Sequence, residues 1–209
     1  KGEILIDGEN ILKKTKKELE KIRGKKIGMV FQDASLALNP VFKIKTQIEE
    51  TIKAHYRDIK KEELRKMTFN ILKDTGIGRD DLERVYNAYP HQLSGGMQQR
   101  VLIAIALSLS PEILIADEPT TSLDVTHQAQ IMKLLKYLKK EKKLTVVLIT
   151  HDLHLAFDIA ERIVVMYAGE IVEDGIIKDE KDAYHPYTKA LLEIIPDIRK
   201  KKKQFKTIE

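Results

Sequence analysis

The chain has 209 residues, 43% of them hydrophobic and 33% charged, with a net charge of +5 and a pI near 9.1. That apolar content excludes a wholly disordered chain and fits one large domain, or one domain with a subdomain. Lacking cysteine, these residues can form neither disulfides nor thiolate metal sites, and no apolar run approaches the length of a membrane span.

The opening residues, KGEILIDGEN, hold no signal-peptide apolar core, so the expectation is a soluble cytoplasmic protein. They alternate apolar and polar side chains around Asp7-Gly8, which reads as a β-hairpin or edge strand. KKTKKELEKIR follows as a short exposed helix. KIGMVFQD is expected to be a buried strand ending at Phe31, with Gln32 just beyond it. ASLALNP reads as a loop punctuated by Asn39-Pro40. From about Ile44 to Tyr89 apolar residues recur at three- and four-residue spacing, which predicts an inserted helical subdomain.

After residue 93 the pattern changes. Ser94 starts a helix to about Leu109, EILIADE is a short buried strand, and VTHQAQIMKLLKYLKKEKK is an amphipathic helix. LTVVLITHD is a second β-branched strand, LHLAFDIAER a helix, and IVVMYAGEIVEDG two strands about Ala168-Gly169. Strands alternating with helices imply an α/β fold whose parallel sheet is covered on both faces. The tail holds one helix and a basic run at 199–203. Elsewhere the lysines alternate with glutamates, which reads as solvated helix faces rather than a nucleic-acid patch.

Four features fall at the ends of these elements. The strand ILIADE delivers Asp117 and Glu118 at its C-terminal end, where parallel α/β sheets bind ligands. One carboxylate there can hold Mg²⁺, largely through water, and its neighbour can polarise a water for attack on a phosphoryl group. In LSGGMQQR, Ser94 is a natural N-cap, and Gly95 and Gly96 let a ligand approach a helix start that attracts phosphate. His151 follows the strand LTVVLIT and can donate to a terminal phosphate. Gln32 follows IGMVF and can reach a metal or an attacking water. Each alone is weak; together they outline one nucleotide site.

These motifs resemble the ATP-binding subunits of ABC transporters. Gln32 matches the Q-loop, Leu93–Arg100 the signature motif, ILIADE the Walker B strand, Ser122–Asp124 the D-loop and His151 the switch histidine. The resemblance implies a P-loop NTPase-like core with a mainly parallel sheet, an inserted helical subdomain and part of an antiparallel β-subdomain. It divides the chain into 1–43 (partial β-subdomain and Q-loop strand), 44–92 (helical subdomain), 93–178 (signature helix and RecA-like core) and 179–209 (C-terminal extension). It also implies that Asp117 and Gln32 serve Mg²⁺, Glu118 is the general base, and His151 contacts the γ-phosphate of ATP. Ser94, Gly95, Gly96 and Asp124 then contact nucleotide, the glycine turn completing the ATP site of a second, head-to-tail subunit. NPVFKIKTQIEE, DVTHQAQI and HPYT (His185–Thr188) are similar to the dipeptide, oligopeptide and nickel importer branch. That branch works at the cytoplasmic face of the membrane with permease subunits and, indirectly, a substrate-binding protein.

The sequence departs from the family in one place. No G-x-x-x-x-G-K-[ST] occurs; the nearest glycine-lysine pairing, IRGKKIG, lacks the Ser/Thr for Mg²⁺. The expectation is a chain that starts inside the domain, lacks the Walker A segment, exposes apolar sheet surface, and binds ATP weakly or not at all by itself. The cysteine cluster that such importers often carry for an iron–sulfur centre beyond HPYT is also missing. The alternative is a soluble ABC ATPase acting on nucleic acid, favoured only by the basic pI. The 61 residues between Gln32 and Ser94 leave no room for the long coiled-coil arm of the repair ATPases.

Overall fold

The structure, a computed structural model, describes residues 2–177 and 182–194, without the side chains of His154 and Ile194. The chain divides into two compact units, Lys1–Ile149 and Thr150–Glu209. The basic run at 199–203 lies outside the described residues.

The first unit opens with a hairpin of β1 (Leu5–Ile6) and β2 (Glu9–Asn10). Asp7 and Gly8 turn it with positive φ (52° and 79°), the paired left-handed conformation that matches strand twist. Helix α1 (Lys16–Ile22) starts on a capping box, Thr15 accepting from the Glu18 amide while the Glu18 carboxylate accepts from the Thr15 amide. It buries no side chain, as its lysine-rich sequence requires.

Three parallel strands follow in the order β3 (Ile27–Val30), β4 (Ile113–Asp117), β5 (Thr145–Ile149). Gly28, Leu114 and Val146 share one face, and Met29, Ile115 and Val147 the other. The first face is buried along β3 and β4, where Val30, Leu114 and Ala116 are fully covered, and half-buried at β5; α6 (Gly95–Leu107) and α7 (Val125–Glu141) pack on this sheet. At Gly28 the fit is tight, since a Cβ there would lie 2.4 Å from the carbonyl oxygen of Ala106 on α6. The second face corrects the sequence reading. Met29, Val147 and Ile149 are 40%, 46% and 48% exposed, so among the described residues this face is not fully covered; the apolar sheet surface expected from the absent Walker A segment is present, and β3 is half-buried rather than buried. The β-branched residues read as core because a strand's hydrophobicity does not say which of its faces a neighbour reaches.

Between β3 and α6 the chain is helical, as the apolar spacing predicts. Residues 34–37, read as loop, form one turn of helix, α2 (Ala34–Ala37), because Asp33 caps it. Helices α3 (Ile44–His55), α4 (Lys61–Asp74) and α5 (Leu82–Asn87) pack together and, through α3 and α4, on α6. Ile44, Ile48, Ile52, Leu64, Leu72 and Val85 form their apolar seam. Burial and a hydrogen bond to Glu49 push the Tyr86 hydroxyl up to about 12, fixing it as a donor across α3 and α5.

In the second unit, α8 (Leu153–Ile159) precedes an antiparallel pair, β6 (Ile163–Tyr167) and β7 (Glu170–Gly175), turned at Ala168-Gly169 with both φ positive. Helix α9 (Pro186–Ile194) is the expected tail helix. Its HPYT start is held by Glu173 of β7, whose carboxylate accepts from the amides of Tyr184 and His185 at 2.8 and 3.1 Å.

Candidate functional site

β4 is the central strand, and its last residue is Asp117. Register pairs Asp117 with Ile149, and the next amide, of Glu118, donates to the Ile149 carbonyl at 2.9 Å. Glu118 thus continues the ladder by one bond and then turns with φ 44°, a conformation uncommon for a residue with a Cβ. Thr121 holds that turn. Its amide and hydroxyl both lie 3.3 Å from the Glu118 carbonyl, and the same hydroxyl bonds the Glu118 carboxylate. The carboxylate is therefore aimed by a neighbour in the TTSLD loop, in the strained backbone that functional sites often store.

Gln32 stands two residues beyond the end of β3 and is exposed. It lines an open pocket of about 680 Å³ together with Asp33, Leu36, Asp117, Thr121 and Ser122. The structure thus brings Gln32 and Asp117 to one cavity at the C-terminal edge of the sheet, with Glu118 tied to that cavity's wall through Thr121. Asp33 adds a second carboxylate. Hydrogen bonds from the hydroxyl and amide of Ser35, at 2.7 and 2.8 Å, hold its pKa below the usual carboxylate range. Among the described residues no three His, Asp or Glu side chains cluster as a metal cage. A pocket with one strand-end carboxylate and one amide suits Mg²⁺, which keeps most of its water and takes few protein ligands.

Ser94 caps α6, its hydroxyl accepting from the Met97 amide and its carbonyl from the Gln98 amide at 2.9 Å. Ser94 and Gly95 are exposed and Gly96 is buried. Among the described residues the lining of the Gln32–Asp117 pocket does not include this turn. Asp124, expected at nucleotide, caps α7: it accepts from the His127 amide at 2.9 Å and meets the His127 ring Nδ1 at 2.6 Å. These bonds, the backbone one first, lower its pKa.

His151 belongs to the second unit, and it follows β5 less directly than its sequence implies. The strand ends at Ile149, and His151 is exposed in the turn leading to α8. Thr150 shapes that turn by accepting from the Asp152 amide at 3.0 Å. Sequence reasoning missed Thr121, Asp33 and His127. Asp33 and His127 stood inside quoted stretches and Thr121 directly before the D-loop, but nothing in spacing alone reports a hydroxyl's or a ring's partner.

The ABC transporter family profile matches residues 1–121. The chain is 46% identical over 199 residues to the oligopeptide transport ATP-binding protein OppD of Bacillus subtilis, covering 95% of this chain and 55% of that protein. It is 45% identical over 205 residues to the dipeptide transport ATP-binding protein DppD of Haemophilus influenzae, covering 98% and 61%. The chain therefore spans little more than half the length of these relatives. In structure it is similar to the dimeric ATP-binding cassette MJ0796 bound to ADP and Pi, with a TM-score of 0.72, 38% identity, and 84% and 73% of the two chains covered. It is also similar to cbiO1 of Clostridium perfringens, part of the ABC transporter complex cbiONQ, with a TM-score of 0.71, 34% identity, and 84% and 66% covered. With the profile spanning more than half of its residues, and with cassettes that share its fold, the chain belongs to the ABC transporter family.

Proposed function

We propose that the protein is the ATP-binding and hydrolysing subunit of an importer for peptides or related solutes. The observation that carries this reading is the pocket shared by Gln32, Asp117 and Thr121, with Glu118 fixed beside it. The similarity to OppD and DppD supports the peptide branch.

In this reading Asp117 and Gln32 hold Mg²⁺ on ATP, and the metal neutralises charge on the phosphates. Glu118 accepts the proton of the attacking water, its carboxylate pre-aimed by Thr121. His151 contacts the terminal phosphate. Ser94, Gly95 and the helix start behind them meet the nucleotide of a second, head-to-tail subunit, and Asp124 lies in the same interface. The dimeric state of MJ0796 supports that arrangement. Residues 44–92 serve as the helical subdomain and 179–209 as a C-terminal extension.

The stretch ASLALNPVFKI, residues 34–44, carries Leu36, Val41 and Phe42, all exposed, Leu36 by 84%. It is the proposed landing surface for the permease subunits, with the substrate-binding protein engaged only through them and nucleic acid playing no part. Among the described residues no helix is long and apolar enough to cross a membrane; attachment at the cytoplasmic face is proposed to run through the permeases.

These 209 residues contain no glycine-rich loop ending in Gly-Lys-Ser/Thr. By themselves they would therefore bind ATP weakly and not hydrolyse it, for want of the backbone amides and lysine that cradle the β- and γ-phosphates. Titration of the 209-residue chain with fluorescent ATP and Mg²⁺ tests this. The expected result is no saturation in the micromolar range; tight saturable binding would overturn it. For the protein at its natural length, co-purification with two hydrophobic permeases supports the transport reading, and salt-sensitive DNA binding in their place contradicts it.

A further inference from the structure

The two glycines of the Ser94 turn are not equivalent. Gly95 is exposed, and a Cβ there would meet only Leu123, at an ordinary 3.6 Å. Gly96 is buried, and a Cβ there would lie 2.4 Å from Cδ2, 3.2 Å from Cγ and 3.3 Å from Nε2 of His127. The first glycine has room for a ligand; the second is closed by an imidazole.

We infer that His127 is a positioning residue for the Ser94–Gly96 turn, its ring forming a seat that is anchored on Asp124 and bears on Gly96. The importance of the turn rests on the proposed function; the seat itself rests on geometry. Asp124 grips His127 twice, Oδ1 accepting from the backbone amide at 2.9 Å and Oδ2 meeting ring Nδ1 at 2.6 Å. With Nδ1 held, the ring's Cδ2 edge faces Gly96. A free histidine could swing away from an added methyl group, but this one gives up its carboxylate contact if it does. The side chains of His127 and Asp124 are 41% and 65% exposed, so neither serves to fill a core. Their joint effect is to make the glycine turn, the loop ending at Asp124 and the first turn of α7 one mechanical piece. A nucleotide that engages the turn is then sensed at Asp124.

The test begins with hydrogen exchange on the 209-residue chain. The amides of Met97 and Gln98, bonded to the hydroxyl and carbonyl of Ser94, are expected to exchange roughly tenfold faster in His127→Ala, with the melting temperature little changed. His127→Asn retains a donor for Asp124 but no ring, and is expected to restore protection at residue 127 while leaving Met97 and Gln98 exposed. A double-mutant cycle with Gly96→Ala should be non-additive, since removal of the ring makes room for the methyl group. Unchanged exchange in His127→Ala, or costs that simply add, overturns the inference. In the protein at its natural length, His127→Ala should raise the KM for ATP roughly tenfold and change kcat less, as expected for a displaced binding turn. An unmoved KM in an active enzyme also overturns it. A protein that does not hydrolyse ATP would instead sink the functional reading and leave exchange and the cycle to decide the seat.

Discussion

Glu118 shows how one residue can be legible as chemistry and opaque as structure. Its place after an apolar strand marks it as a strand-end carboxylate. Its positive φ and its two-point hold by Thr121 emerge only once the chain turns back toward β5. Thr121→Val is expected to leave the fold intact and to reduce ATP hydrolysis by roughly tenfold in the full-length protein, because the proposed base loses its aim; steady-state kinetics beside a thermal melt checks both halves. Asp124 makes a second prediction, in pH. Its folded pKa is lowered by its bonds to His127, so it stabilises the fold above its unfolded pKa. That contribution disappears as pH falls through the lower folded value. Asp124→Asn should therefore lower the melting temperature at neutral pH, and the gap to the parent should close in strongly acidic buffer. A gap independent of pH would show that the charge contributes nothing. Sequence identified Asp124 as a D-loop residue by resemblance and could not show that its carboxylate is already engaged in a helix cap.

At the scale of elements the sequence was most informative where periodicity was strong. The helices within 44–92, the α6 start at Ser94 and both hairpins fall where spacing and turn residues put them. The short α2 escaped because a one-turn helix has no period; its signal was the cap, Asp33, whose carboxylate takes the Ser35 amide. Two expectations for the sheet diverged: strand–helix alternation implied cover on both faces, the absent Walker A segment implied exposed apolar surface, and the structure follows the second. The Gly28 contact, by contrast, follows from packing alone. Gly28→Ala forces β3 and α6 apart at a backbone carbonyl that cannot step aside, and should cost about 1–3 kcal/mol in a urea melt, within the usual cost of overpacking. No loss of stability would mean that α6 does not lie on β3 as described.

Over the whole molecule, the open sheet face and the site are linked. Met29, Val147 and Ile149 present apolar surface on the face that also carries Asp117. Exposed apolar surface of this kind drives association. The 209-residue chain is therefore expected to bind an apolar dye and self-associate with rising concentration, and Val147→Thr together with Met29→Gln should weaken both; sedimentation at several concentrations tests it. The placing of Gln32 and Asp117 in one cavity was legible from strand ends alone, because a parallel sheet gathers its C-terminal ends along one edge. His151 was legible only as a strand-end residue, since a one-dimensional pattern does not say how the turn after β5 is laid. Whether this edge hydrolyses ATP with Glu118 as the proposed base is decided by the hydrolysis rate of the full-length protein beside its Glu118→Gln variant. A fall of at least about a hundredfold with ATP still bound is expected, the scale of a lost general base; equal rates in the two proteins would rule Glu118 out as the base.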